Sequence, residues 1–248
     1  MNIKNIFKSC INNIGGDNAS LRDEWVRNKL SDMSEGQKIL DVGAGEGRYR
    51  KYTAHLEYVA QDFNGYDGEG NGSGLHTGTW DCSAVNIVSD ITDIPVSDSS
   101  FDIVLCTEVL EHVPDPRAAI NEMVRVLKPG GKLIVTAPFC SLTHFSPYHF
   151  CTGFNKYFYM NMMESGGCAI EEIQPSGDWF DYVSQEVRRL PSVVGSYTDR
   201  SVGIFDKLLI GLVLLRMNFY KKKQLNMSSS ELLTYGYHLV ATKNSKSI

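Results

Sequence analysis

Between Lys38 and Pro138, five short apolar runs alternate with helical patterns or with polar, glycine-containing stretches. This alternation constrains the chain more than any other feature. Strands separated by crossovers pair in parallel, and a parallel sheet needs helices to cover it. The runs are "KILDVG", "EYVAQDF", "VNIVSDI", "FDIVLCTEVL" and "KLIVTAPF". A short helix is read in "GRYRKYTAHL". The helix before the fifth run is better signalled: Asp115 can cap it and Pro116 suits its first position. Ile120, Met123, Val124 and Leu127 then share one face, and "KPGG" stops the helix.

Beyond the fifth strand, "FNKYFYMNMMESGG" reads as helix, "CAIEEIQP" as strand and "YGYHLVATK" as the closing strand. The roughly fifty residues between those last two are too many for a hairpin loop, so they form an inserted element. Its centre, "SVGIFDKLLIGLVLLRMNFYKKK", reads as helix. The stretch "NGYDGEGNGSGLHTG" stands where a crossover helix would be expected and reads as a mobile loop. The organisation that follows is a single domain over 1–248: an N-terminal helical cap over 1–35, a core over 36–177, a helical insert over 178–230 and a last strand within 231–248.

A length of 248 residues suffices for a full core. A net charge of −5 argues against nucleic acid as the main partner, because phosphate neutralisation needs a basic face. Cys10, Cys82, Cys106, Cys140, Cys151 and Cys168 are scattered without a C-x-x-C pair, which reads as reduced thiols in a cytoplasmic protein. "MNIKNIFKSCINNIGG" is too polar for a signal peptide, and "LLIGLVLL" falls far short of the roughly 20 residues that span a bilayer.

Gly43, Gly45 and Gly47 follow the first strand as G-x-G-x-G. The dinucleotide fingerprint needs its third glycine one residue later, where this chain has Arg48, and no Lys-Ser/Thr pair completes a phosphate loop. Asp62 ends the second strand, where a carboxylate can accept both hydrogens of a ribose diol, as an adenosine-like ligand or NAD would need. Asp90 ends the third, where it can accept from an adenine amino group with Ile91 against the ring. The glycine loop is left facing the rest of an adenosine-like ligand, and a loop without a phosphate fingerprint suits an amino-acid tail.

"LDVGAGEG", "QDF", "SDITDIPVSDSSFDIVLCTEVLEHVPDP" and "EMVRVLKPGGKLIVTAPF" together resemble the successive motifs of class I S-adenosylmethionine-dependent methyltransferases of the broad small-molecule group. The resemblance covers roughly residues 36 to 140. It implies an α/β fold: a doubly wound, seven-stranded, Rossmann-like sheet with an antiparallel last strand, here with a helical insert before it. It implies S-adenosyl-L-methionine as cofactor, with Asp41 and the loop Gly43, Ala44, Gly45 and Gly47 at the methionine end. Asp62, followed by Phe63, is implied to bind ribose, and Asp90 and Ile91 to flank adenine. Glu108 and Val109 are implied to line the floor. Arg22, ahead of the first strand, can reach the methionine carboxylate or stand as a surface arginine.

Methyl transfer from a sulfonium is an in-line displacement, so positioning supplies most of the catalysis, and a hydroxyl acceptor also needs a base. "CSLTHFSPYHF" follows the fifth strand on the binding rim and carries His144 and His149 among aromatic residues; His112 follows the fourth strand. These three histidines are the candidate bases. They and the nearby carboxylates show no recognisable ligand spacing, and no metal is expected. "APFCSLTHFSPYHFCTGFNKYFY" and "YDGEGNGSGLHTGTWD" are similar to stretches of bacterial methyltransferases of surface-polysaccharide and sugar modification, which points to a small-molecule or glycan acceptor, first a sugar hydroxyl. A lipid-like or quinone-like acceptor is the alternative, and a non-catalytic cofactor-binding subunit the third reading. "LLIGLVLL" with Lys221, Lys222 and Lys223 reads as an interfacial anchor on a membrane surface, a buried helix or a homodimer face.

Overall fold

The computed structural model describes residues 14–225 and 228–245. Cys10 and the first part of the N-terminal cap lie outside the described residues. The chain divides into two compact units, one of Arg22–Gln174 with Gly236–Ile248, the other of Met1–Leu21 with Pro175–Tyr235.

The larger unit carries the sheet. Its strands are β1 (Lys38–Val42), β2 (Glu57–Asp62), β3 (Ile87–Val88), β4 (Phe101–Thr107), β5 (Leu127–Pro138), β6 (Cys168–Ser176) and β7 (Gly236–Lys243), in the order β3-β2-β1-β4-β5-β7-β6. β1 pairs in parallel with β2 and β4, β2 with β3, and β4 with β5. β7 runs antiparallel to β5, with Ile134 opposite Val240. This is the doubly wound sheet with an antiparallel last strand that the family resemblance implies. Its strand order reverses beside β1, so the carboxyl ends of β1 and β4 open a crevice on one edge of the sheet.

The apolar runs become strands because both of their faces are covered. Leu40, Val42, Val104, Cys106, Leu133 and Val135 pack on one side with Ile120 and Met123 of α2 (Pro116–Val126). Ile39, Ile103, Leu105 and Ile134 pack on the other with Trp25, Val26 and Leu30 of α1 (Asn18–Ser31). Fully burying each of these aliphatic side chains stabilises the unit by about 2 kcal/mol. Asp115 caps α2 as expected, accepting from the backbone N–H groups of Arg117 and Ala118. A further helix, α3 (Lys156–Ser165), inserts Tyr159, Met162 and Met163 into the core.

Two local expectations need correction. The helix read in "GRYRKYTAHL" is a single 3-10 turn over Arg50–Tyr52. Thr53 ends it by turning its hydroxyl back onto the Arg50 carbonyl at 2.8 Å, a bond that competes with helix continuation. The third strand is limited to two residues, beyond which Asp90 starts a turn by accepting from Thr92.

In the smaller unit, α4 (Trp179–Tyr197) begins with a reciprocal cap between Asp178 and Asp181. The insert expected over 178–230 falls within this unit. Lys221, at the end of α5 (Ile204–Lys221), reaches both carboxylate oxygens of Asp181 at 2.6 Å. α5 leaves Ile204, Phe205, Leu208 and Leu212 exposed. No helix among the described residues is long and apolar enough to cross a membrane.

Candidate functional site

The site is assembled where the carboxyl ends of β1, β2, β4 and β5 meet the loops that follow them. After β1 the chain turns through Gly43, Gly45 and Gly47, all left-handed, with φ of +65°, +52° and +70°. The space is as demanding as the torsions. A Cβ on Gly43 would stand 2.5 Å from a methyl carbon of Val109, and one on Gly45 would stand 2.5 Å from the Trp80 ring. Glycine is needed here on both counts.

The amides of this loop are already used inside the protein. Gly43 N donates to Gln61 Oε1 at 3.3 Å, Ala44 N to the Gln61 carbonyl at 2.9 Å and Gly45 N to Asp62 Oδ2 at 2.9 Å. A phosphate cradle needs outward-facing N–H groups. The geometry therefore agrees with the loop having no phosphate fingerprint. Gln61 has no distinguishing sequence signal, yet it also donates to the Ser89 carbonyl at 2.7 Å and so ties the glycine loop to the end of β3.

Asp41 is buried and accepts from the Tyr58 hydroxyl at 2.6 Å. Burial first, and then the nearby Asp62 charge, push its acidity constant up to about 7. Asp62 is buried too; its second oxygen accepts from Asn64 N at 2.8 Å. Phe63 is half exposed and meets the Tyr148 ring edge-on at 5.0 Å. Asp90 stands exposed at the rim and bonds locally to Thr92, while Ile91 is buried in the core.

Arg22 and Glu108, read separately from the sequence, meet directly: Arg22 Nη1 lies 2.8 Å from Glu108 Oε2. Glu108 takes a left-handed backbone (φ +54°) and also accepts from the Thr136 hydroxyl of β5 at 3.0 Å. α1 thereby holds a guanidinium over the end of β4.

The three histidines also come together. The His112 and His144 rings lie 4.5 Å apart, His144 and His149 4.9 Å, and His112 and His149 6.0 Å. Burial, and then the neighbouring His144, lower His112 to about 4; the same two causes lower His149. Both rings are neutral at pH 7. Ser141 donates its hydroxyl proton to the Thr152 carbonyl at 3.0 Å, so the 3.1 Å contact from His149 Nε2 to Ser141 Oγ is an N–H donating. That leaves His149 Nδ1 with its lone pair. Glu111, beside His112, is buried with a carboxylate oxygen 3.7 Å from His112 Nε2 and 3.8 Å from His144 Nε2. The sequence reading expected no metal; the structure collects a Glu111, His112 and His144 donor group.

The glycine-rich stretch read as a mobile loop is tied to the histidine loop. Asn71 N donates to the Ser146 carbonyl, Leu75 N to that of Thr143, and Phe145 N to that of Leu75. Tyr66 stacks on Phe145 at 4.6 Å, and Trp80 meets Phe145 edge-on at 5.5 Å. His76 contacts the Tyr66 hydroxyl through Nδ1 at 2.9 Å. Trp80, Tyr66, Gln61 and Glu111 are site residues that the sequence reading missed.

A Rossmann-like sheet of seven strands with an antiparallel last strand, glycines at the end of β1 and carboxylates at the ends of β1 and β2, defines a methyltransferase fold. Residues 40–135 match the family model described as a methyltransferase domain. The chain is 38% identical over 104 residues to a demethylmenaquinone methyltransferase of Renibacterium salmoninarum, covering 40% of each chain. It is 33% identical over 105 residues to a ubiquinone biosynthesis O-methyltransferase of Idiomarina loihiensis, covering 40% of this chain and 41% of that one. The match thus spans about two fifths of the length of these curated relatives. Among solved structures, the cyclase SpnF superposes with a TM-score of 0.55 at 17% identity, over 92% of this chain and 83% of that one. A phosphoethanolamine N-methyltransferase of Haemonchus contortus, in complex with S-adenosyl-L-methionine, does so with 0.50 at 17% identity, over 90% and 52%. The sequence match over residues 40–135 and the order and direction of the strands thus point to the same class, a methyltransferase domain.

Proposed function

We propose that this protein transfers the methyl group of S-adenosylmethionine to a hydroxyl of a small molecule. The observation that carries the reading is the juxtaposition, at the ends of neighbouring strands, of a glycine loop whose amides are internally satisfied and a cluster of three histidines. The loop, with Asp41, Arg22 and Glu108 around it, suits the amino-acid end of the cofactor; Asp62 and Asp90 suit ribose and adenine. His149, with a lone pair on Nδ1, suits the base that takes the acceptor's proton. The sulfonium becomes a neutral thioether as the oxygen–carbon bond forms.

The sugar hydroxyl expected from the sequence is the first acceptor to test. A ring hydroxyl of a quinone-like molecule is the second, favoured by the exposed Phe63, Leu142 and Phe150 and by the names of the relatives matched over residues 40–135. The exposed apolar residues of α5, with Lys222 and Lys223 just beyond, support a peripheral membrane contact, which suits a lipid-soluble acceptor.

Calorimetric titration with S-adenosylhomocysteine, with NADH as control, tests the cofactor assignment. Micromolar binding of the first and none of the second is expected. The affinity rises with pH: below about 7 Asp41 holds a proton that it must release to accept the ligand's ammonium group. Each pH unit lost between about 7 and 5 therefore weakens binding by up to about tenfold. Asp41→Asn binds weakly at every pH and flattens this profile; a wild-type profile that is already flat removes Asp41 from the ligand.

Acceptors are then screened by methyl-labelled cofactor, sugar nucleotides against dihydroxylated quinols. His149→Ala retains S-adenosylhomocysteine affinity within about threefold and loses at least about a hundredfold in turnover, the range of a lost general base. Turnover at the wild-type rate would take the base role from His149.

A further inference from the structure

Beside the end of β4, three hydrogen-bond acceptors face one another with no donor between them. His112 Nδ1 lies 2.5 Å from the Tyr148 carbonyl oxygen, and His144 Nδ1 lies 2.8 Å from that of Leu142. A carbonyl oxygen only accepts, so each Nδ1 carries a proton, and in the uncharged ring, the form that binds a metal, Nε2 holds the lone pair. Those two Nε2 atoms lie 3.7 and 3.8 Å from the same oxygen of Glu111. All three donor atoms fall within 4.8 Å of one another. Glu111 is 1% exposed, and neither its Oε2 nor His112 Nε2 has a hydrogen-bond partner among the described residues.

Converging lone pairs in a buried space are costly unless a positive species sits among them. A proton on Glu111 satisfies one nitrogen and leaves the other unpaired. A cation satisfies all three. We propose that Glu111, His112 and His144 form a binding site for a divalent cation of borderline softness, of which zinc is the type.

The donor set selects the metal. Two imidazole nitrogens and one carboxylate oxygen are suited to zinc and its neighbours, whereas magnesium and calcium prefer all-oxygen surroundings. Three protein ligands leave a coordination position open, as in catalytic rather than structural sites. Both imidazoles also show the support that metal-bound histidines need, the far N–H donated to a backbone carbonyl, which fixes the ring and its tautomer. Glu111 and His112 are adjacent on one 3-10 turn, Leu110–His112, while His144 comes from the loop after β5, so a bound cation cross-links the two segments.

Cation binding stands on these donors alone. Its catalytic role rests on the proposed methyl transfer. An acceptor hydroxyl entering the open position would be more acidic on the metal, releasing its proton to His149 Nδ1. The resulting oxyanion attacks the methyl carbon as the carbon–sulfur bond breaks.

The test uses untagged full-length protein, dialysed against a chelator and then titrated with Zn²⁺, Mg²⁺ and Co²⁺. One equivalent of Zn²⁺ binds, Mg²⁺ binds far more weakly, and the Co²⁺ spectrum lacks a thiolate charge-transfer band. Glu111→Gln and His144→Ala each weaken Zn²⁺ binding by at least about tenfold. Cys140→Ser, which alters an exposed thiol in the same loop, leaves it unchanged. Should Glu111→Gln fail to fold, His144→Ala carries the test, since that side chain lies in a loop and is 22% exposed. Substoichiometric Zn²⁺, wild-type affinity in His144→Ala or a thiolate band in the Co²⁺ spectrum overturns the site. S-adenosylhomocysteine binding, measured on the same samples, separates this outcome from a failure of the methyltransferase reading. Full turnover by the chelated protein removes the catalytic role.

Discussion

Replacing Asp62 with alanine lowers the affinity for S-adenosylhomocysteine by at least about a hundredfold while leaving a folded protein of reduced melting temperature. The carboxylate holds the glycine loop through Gly45 N and the left-handed Asn64 through its amide, and its position at the end of β2 suits a ribose diol. A hydrogen bond to a charged group contributes about 1.5–3 kcal/mol, so losing two at the ligand is enough for the hundredfold effect. The two orphaned amides account for the loss in stability. Asp62→Asn keeps one acceptor oxygen and falls between, about tenfold weaker than the wild type. Calorimetry decides the affinity, and thermal unfolding shows that the variants are folded. Binding of the alanine variant within threefold of the wild type would remove Asp62 from the ribose.

The second large effect is expected at Arg22. Arg22→Met strips Glu108 of the guanidinium 2.8 Å away, leaving a partly buried carboxylate unpaired. Breaking a fully buried pair from one side costs about 3–5 kcal/mol; with Glu108 about a third exposed, about 2 kcal/mol is expected here. Cofactor affinity falls as well, by about tenfold or more. The double variant Arg22→Met/Glu108→Gln separates two causes. If Arg22 only neutralises Glu108, the double variant regains the affinity. If Arg22 also meets the methionine carboxylate, stability returns and affinity does not. Lysine at position 22 is a poor substitute, because it lacks the planar fork that can serve two carboxylates together.

How much of this was legible in the sequence depends on whether the signal was local. The first five strands could be read because each centres on a short apolar run set between polar stretches, and the α2 cap because Asp115 and Pro116 adjoin it. The glycine loop could be read because left-handed torsions call for glycine. Glu111 was missed although it lies between residues that were singled out: in "EVLEHV" it looks like the polar side of a turn, and only the tertiary fold buries it facing His144. Arg22 was left between two readings because its partner is far away in the chain. Trp80 sits in a polar run without periodicity, and nothing in that run says that its ring covers Gly45. The 3-10 turn at Arg50 was read as a helix because a threonine bonding back to the main chain leaves no mark on hydrophobic periodicity.

The pairing of the glycine-rich stretch with the histidine loop has an evolutionary consequence. The bonds from Asn71, Leu75 and Phe145 are all main chain to main chain, and such bonds hold position without dictating which side chain is carried. Away from Tyr66, Asn71, Trp80, Phe145 and Ser146, whose side chains also bridge the two loops, substitutions can therefore change what the loops present while the loops stay joined. A scaffold joined in this manner can acquire new substrates without first becoming unstable.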